Sequence, residues 1–349
     1  MAFAKNMRWV GKNMVTIKDI AKESGYSIST VSRVLNHRND VSPDAKKKIE
    51  EVVAEFNFVP NNNAKHLKQS NSKTIGVLVK GISNMLFASI VEEIQKMIEK
   101  TEYTLVVSYL DEDADEVEQA ILLCRERKPL GLLFLGGNPE YFKKEFSDVD
   151  VPCVLVSNRA NQMGFDNLSS VATDDIAAAR CAVDVLFEAG HKKIGILGGN
   201  IEKSYTSHQR FCGCNESFAA HGEKLDMEHC YEKVHFSFDS AYRGMNRLVE
   251  KFPDVTAVFA MSDVMAIGAI RALRDKGYRV PEDISVIGFD GTTLAEYYNP
   301  KLATVKQQYQ TLATRSVEIL FGQIELKKDA IHEIVPFEFV SGESIQVIK

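Results

Sequence analysis

The chain lacks any run of about 18 apolar residues, so no segment reads as a membrane-crossing helix. Its first thirteen residues carry Lys5, Arg8 and Lys12 but no apolar stretch, so no secretory signal is expected there. A cytoplasmic protein is expected, with residues 1–13 a flexible tail and Met14 an alternative start. Disulfide order is missing too: Cys124, Cys153, Cys181, Cys212, Cys214 and Cys230 are scattered without a framework. His208, His221 and His229 lie near three of these cysteines. Yet Cys212 and Cys214 fall on different faces of a helix and no zinc spacing appears, so no metal is expected. The sequence holds no GxGxxG, P-loop, GxSxG or HExxH pattern, and its carboxylates are diffusely spread. Gly198-Gly199-Asn200 is an isolated phosphate-cradle candidate. Neither catalysis nor a cofactor is expected.

What is present is an ordinary globular composition, 45% hydrophobic and 26% charged, over 349 residues, which is long enough for two or three domains. The charge is unevenly divided. Residues 1–73 hold 13 Lys+Arg against 7 Asp+Glu, a net of +6; since the whole chain carries −6, the remainder carries −12. A basic head on an acidic body confines attraction for phosphate to one end.

The head is organised around Thr16 to Asn36. Ile17, Ile20 and Ala21 recur at helical spacing, then Ser24-Gly25-Tyr26-Ser27 interrupts them. Gly25 suits a tight corner because it accepts positive φ, and Ser27 is a good N-cap for a second helix. That helix has Val31, Val34 and Leu35 inside and Ile28, Ser29, Thr30, Ser32, Arg33 and Asn36 outside. Such a pair is the helix-turn-helix reader of the DNA major groove. Ser42, Pro43 and Asp44 start a third helix, whose apolar stripe is Ile49, Val52, Val53 and Phe56. An all-α three-helix domain over 14–60 is expected, followed by a polar linker, 61–73, with Leu67 its one large apolar residue.

From residue 74 apolar strands alternate with amphipathic helices. Thr74 to Val79, Thr104 to Leu110, Gly131 to Gly137 and Cys153 to Val156 form one set of strands. A second set begins near Ser170 and includes Ile194 to Leu197, Ala257 to Met261 and Ile284 to Phe289. The helices between them include Phe87 to Glu99, Asp115 to Arg125, Asp174 to Ala189 and Thr206 to His221. This pattern predicts parallel sheets covered on both faces. Thr74-Ile75-Gly76-Val77-Leu78 and Lys193-Ile194-Gly195-Ile196-Leu197 occupy equivalent places, as do the strands at Leu132 and Val258, so two similar α/β lobes are expected over 74–349. Ligands of such sheets sit beyond the carboxyl ends of the strands. The polar residues there are Ser83 and Asn84, Ser157 to Arg159, Ser262-Asp263 and Asp290.

Val31-Ser32-Arg33-Val34-Leu35-Asn36, Val41-Ser42-Pro43 and Phe58-Val59-Pro60-Asn61 together resemble the head of the lactose/galactose-repressor family over about sixty residues. The resemblance implies a homodimer on a pseudo-palindromic, double-stranded operator, controlled by a small-molecule effector: a sugar, a sugar phosphate or another small metabolite. Ile28 and Ser29 are then expected at base edges, Thr30, Ser32 and Asn36 on phosphates, and Arg33 on either. Thr16, Ser27, Asn61 and Ala64 complete the expected DNA-contacting set. The linker is expected to fold into a hinge helix on DNA, with Leu67 wedged into the minor groove and Lys68 beside it.

For the body, the resemblance implies a periplasmic-binding-protein-like fold with chain crossings near 172, 306 and 336. Arg210, in Gln209-Arg210-Phe211-Cys212-Gly213, resembles the family's Arg-x-x-Gly and is expected to reach the effector. Asn84, Ser157, Arg159, Ser262, Asp263, Asp290 and Gln307 are expected as polar contacts, with Phe87 and Phe238 stacking on a sugar face. Asn84-Met85-Leu86-Phe87 departs from the family's frequent Asn-Pro-Phe-Phe. The helices Phe87 to Glu99 and Asp115 to Arg125 are the expected dimer contacts. Two other readings stand beside this one: a small-molecule-binding protein that acts through protein contacts without specific DNA binding, and an enzyme on the α/β body.

Overall fold

The computed structural model describes residues 15–35, 38, 40–56, 58, 73–81 and 84–348. The expectations for residues 1–14, Asn36, Asn61, Ala64, Leu67, Lys68 and Ser83 fall outside the described residues. Two compact units divide the chain, Met1–Asn71 and Ser72–Lys349.

In the first unit, α1 (Ile17–Ser24), α2 (Ile28–Leu35) and α3 (Pro43–Glu55) pack around Ile20, Ala21, Val31, Val34, Ile49 and Val52. Local signals set each boundary. The Thr16 N–H and hydroxyl both donate to the Asp19 carboxylate, at 2.9 and 2.7 Å, fixing the start of α1. Gly25 ends it at φ 78°, its N–H donating to the Ala21 carbonyl at 3.1 Å. Ser27 and Ser42 accept from the N–H groups of Thr30 and Ala45, capping α2 and α3, and Pro43 fills the first turn of α3. Leu35, Val53 and Phe56 are only partly buried at the edge of this core.

The second unit holds two six-stranded sheets. One contains β1 (Thr74–Lys80), β2 (Thr104–Leu110), β3 (Gly131–Leu135), β4 (Cys153–Val156), β5 (Leu168–Thr173) and β11 (His332–Val335), in the order β11-β5-β4-β3-β1-β2. The other contains β6 (Ile194–Gly198), β7 (Tyr231–Lys233), β8 (Ala257–Ala260), β9 (Ser285–Asp290), β10 (Ala303–Gln307) and β12 (Phe337–Val340), in the order β12-β10-β9-β8-β6-β7. The two orders are the same, with β1 matching β6 and β3 matching β8. Those are the segments whose sequences echo each other. Pairing is parallel throughout except β10 with β12.

Helices cover both sheets. In the first lobe these are α4 (Met85–Ile98), α5 (Glu116–Arg127), α6 (Pro139–Glu145) and α13 (Tyr309–Leu326). The second lobe has α7 (Asp175–Glu188), α8 (Tyr205–Ala220), α10 (Phe238–Lys251) and α11 (Asp263–Asp275), with α9 (Met227–Cys230) and α12 (Thr293–Tyr297) as short additions. The chain passes between sheets three times: from Thr173 to Asp175, from Gln307 to Tyr309, and from Val335 to Phe337.

One boundary differs from the sequence reading. The stretch near Ser170, expected to open the second lobe, is β5 and belongs to the first sheet. Its serines hide in the sheet because they are bonded. Ser169 accepts from the Ile331 N–H at 3.0 Å, and Ser170 accepts from the Ala160 N–H at 3.1 Å and meets His332 at 2.9 Å.

Candidate functional site

In the three-helix unit, α2 buries Val31 and Val34 and turns its other face outward. Ile28 there is 43% exposed, although it is a large apolar residue at the first position of a helix. Ser29 and Thr30 both hydrogen-bond through their hydroxyls to Ser27, at 2.7 and 2.8 Å, so this first turn is a preset polar surface. Arg33 is exposed one turn on, 3.7 Å from Asp40. Ser32 is half-buried, and Thr16 lies exposed at the start of α1. A short helix with a small, polar, outward N-terminal turn is the shape that enters a major groove.

In the α/β unit, the carboxyl ends of β1 and β4 in one lobe face those of β6 and β9 in the other across a cleft of about 870 Å³. Of the expected ligand residues, Asn84, Phe87, Ser157, Arg210, Asp290 and Gln307 line it. Asn84 caps α4, its Oδ1 accepting from the N–H groups of Leu86 and Phe87, and the residue lines the cleft. Ser157 and Asp290 stand at equivalent strand ends, those of β4 and β9. Both are non-glycine residues at positive φ, 73° and 112°. Such backbone costs of order 1–3 kcal/mol and concentrates at functional sites. After Asp290, Gly291 sits at φ 69°, where a Cβ would come within 2.5 Å of Lys306.

Arg210 is the electrostatic centre. It is 5% exposed, with Nε donating to Asp175 at 2.9 Å, Nη1 to the Met261 carbonyl, and Nη2 3.8 Å from Asp290. Its guanidinium lies 3.7 Å over the Phe289 ring. Gln307 donates from its amide to Asp290 at 2.9 Å. Burial pushes the Asp290 carboxyl up to about 7, although the Arg210 charge pulls the other way. Burial raises Asp175 as well, again against Arg210. The result is a desolvated fork of donors beside an acid that gains or sheds a proton near neutrality. That set can donate to and accept from ligand hydroxyls.

Four expected contacts do not line the cleft. Asp263 is fully buried at the start of α11 and its oxygens are consumed by Thr292 and Thr304, at 2.6–2.9 Å. Burial pushes its carboxyl up to about 6. Ser262 caps the same helix by accepting from the Met265 N–H. Phe238 begins α10 and is 42% exposed; its neighbours Ser237 and Ser240 line the cleft, but Phe238 does not. Arg159 lines an adjoining cavity, which shares Asn138, Lys203, Ser204 and Tyr205 with the cleft, and pairs with Asp174 at 2.7 Å. Among the described residues no group of three or more His, Cys, Asp or Glu side chains is placed to hold a metal.

The sequence reading did not single out the bonds that join the lobes. Asn158 donates to the Gly137 carbonyl at 2.6 Å and accepts from Thr206 of the other lobe at 3.0 Å. Asn138 donates across to the Lys203 carbonyl at 3.2 Å, and His235 meets Glu112. Asp175 and Phe289, which hold Arg210, were also missed. For Asp175 a signal existed, as the second of two acids opening a helix at a lobe crossing.

Comparison with known proteins agrees with this geometry. Residues 16–61 match the model of bacterial regulatory proteins of the lacI family, and residues 183–345 match that of a periplasmic binding protein-like domain. The chain is 38% identical over 333 residues to the HTH-type transcriptional regulator MalR of Clostridium butyricum, covering 95% of this chain and 99% of that one. It is 31% identical over 312 residues to the ribose operon repressor of Haemophilus influenzae, covering 89% and 92%. Among solved structures, a Lac repressor dimer bound to operator and the anti-inducer ONPF aligns at 26% identity and TM-score 0.70, over 96% of this chain and all of that one. A complex of the transcriptional regulator CelR with cellobiose aligns at 26% and 0.70, over 95% and 99%. The chain belongs to the lacI family of bacterial regulatory proteins, and its work is DNA-binding regulation of transcription.

Proposed function

We propose that this chain is a homodimeric, cytoplasmic repressor of carbohydrate or related metabolism, with no catalytic activity of its own and no cofactor. It binds a pseudo-palindromic operator with α2 of each head in a major groove, Ile28 and Ser29 at base edges and Arg33, Thr30 and Ser32 fixing its register. Leu67 wedges the central step, which is cheapest where that step is flexible. A sugar or sugar derivative binds Arg210, Asp290, Gln307, Asn84 and Ser157, with Phe87 against its face. The bound ligand changes the angle between lobes and thereby the operator affinity.

The observation that carries this reading is the Arg210–Asp290–Gln307 cluster. It is a buried set of donors and acceptors at the strand ends of a cleft, in a chain whose other unit is a helix-turn-helix head. Relatives named for ribose repression and a neighbour holding cellobiose support the sugar assignment. The test is fluorescence anisotropy of an operator duplex titrated with the protein, with and without ribose, maltose or cellobiose. A coupling of about 1–3 kcal/mol predicts a 5- to 150-fold change in operator affinity with one of them. An operator affinity indifferent to every sugar, including any that calorimetry shows to bind, would sink the effector assignment.

A further inference from the structure

At the end of β1, on the first-lobe wall of the same cleft, a lysine terminates an otherwise wholly buried strand. Lys80 is 12% exposed, its Nζ donates to Glu116 at 2.6 Å, and it lies 4.8 Å from the centroid of the Tyr141 ring. Glu116 is 1% exposed, and burial raises its carboxyl. A buried ion pair of this kind gives little net stability, because desolvation offsets the attraction. The ammonium also has three N–H donors. One is used by Glu116, and the Tyr141 face takes only a diffuse attraction, so donor capacity is left over on a side chain that lines the cleft.

Glu116 has a second task. Its other oxygen accepts the backbone N–H of Asn138, the residue whose amide crosses to the Lys203 carbonyl of the second lobe. One carboxylate therefore seats both the cleft lysine and a lobe-to-lobe bond.

We propose that Lys80 is the specificity-determining contact of the first lobe. It donates to a hydroxyl or ring oxygen of a neutral sugar, while Glu116 is a positioning residue that links this contact to the Asn138–Lys203 bond. The inference rests on the sugar-effector reading above. Because Glu116 already balances the lysine's charge, the partner is a neutral oxygen rather than a phosphate. The contact divides ligand recognition between lobes, Lys80 on one and Arg210 with Asp290 on the other, so a ligand that satisfies both favours the closed arrangement.

The test is calorimetric titration of the full chain with maltose, cellobiose, ribose and glucose 6-phosphate. It compares wild type with Lys80→Met and with the double variant Lys80→Met/Glu116→Gln. The double variant removes both charges and keeps an acceptor for Asn138, so its fold is preserved even if an unpaired Glu116 harms the single one. A hydrogen bond from a charged donor predicts about 10- to 100-fold weaker binding of the neutral sugar that wild type prefers. Wild-type binding matched within about twofold by the double variant overturns the role of Lys80 and leaves the effector reading standing. Preference of wild type for glucose 6-phosphate overturns the neutral-sugar assignment. If wild type binds none of the four, the effector reading fails and this inference falls with it.

Discussion

Replacing Arg210 by Met tests the electrostatic account of the cleft. The side chain is 5% exposed and faces Asp175 and Asp290, each 7% exposed, besides stacking on Phe289. Removing one member of a buried charge set costs about 3–5 kcal/mol, since it strands the opposite charges. For a unit of this size each kcal/mol moves the melting temperature by about 2–4 °C, so a drop of roughly 10 °C is expected near pH 8. The loss depends on pH in a definite direction. In the native protein Asp290 holds its proton up to about 7, against 3.8 for an ordinary aspartate. The native state therefore binds more protons between those values, and the stability due to Asp290 is complete below the lower one. It is lost as pH rises through the upper one. Arg210 opposes this rise at both Asp290 and Asp175. Without it both acids stay protonated to higher pH and escape the penalty of an unpaired charge in acid. Differential scanning calorimetry from pH 5.5 to 8.5 should show the gap between wild type and Arg210→Met widening with pH. A gap that is constant across that range, or absent, refutes the argument.

Other perturbations separate the two units. Gly25→Ala places a Cβ at φ 78°, where no neighbouring atom obstructs it, so the cost is purely conformational, about 1–2 kcal/mol. Operator binding should weaken while sugar affinity holds, as read by anisotropy and calorimetry. Ile28→Ala removes an exposed side chain, so thermal stability should stay within about 0.5 kcal/mol while base preference at one half-site position shifts. Asn158→Ala deletes the acceptor for Thr206 and the donor to Gly137; small-angle scattering should then report a more open body, and the sugar-induced change in operator affinity should shrink.

Much of this molecule was legible because its signals are local. Gly25, Ser27 and Ser42-Pro43 announce helix ends through contacts within three or four residues, and the apolar strands β1, β3, β6 and β8 read directly as buried parallel strands. Ser157 and Asp290, which line the cleft, were reachable through the rule that ligands meet strand ends, whereas Arg210 was reachable only through its resemblance to the family's Arg-x-x-Gly. What the structure places off the cleft lining, or in another sheet, depended on distant partners. Asp263 looks like a ligand acid at a strand end, but its acceptors are spent on Thr292 and Thr304, 29 and 41 residues away. Arg159 is diverted by Asp174 at the lobe crossing. The serines of β5 disguised a buried strand because their bonding partners lie on other segments, Ile331 and His332 among them. Lys80 ended a strand that otherwise spoke only of core, and its meaning lies in Glu116, 36 positions on.

The central claim is that this head reads one DNA sequence under control of the body. Selection of operators from a random duplex pool at fixed salt, with wild type and Leu67→Ala in parallel, tests it most directly. The account predicts a pseudo-palindrome with a flexible central step, whose enrichment is loosened by Leu67→Ala and altered by the sugar that calorimetry identifies. Enrichment of no sequence, with weak binding that simply fades as salt rises, would contradict it.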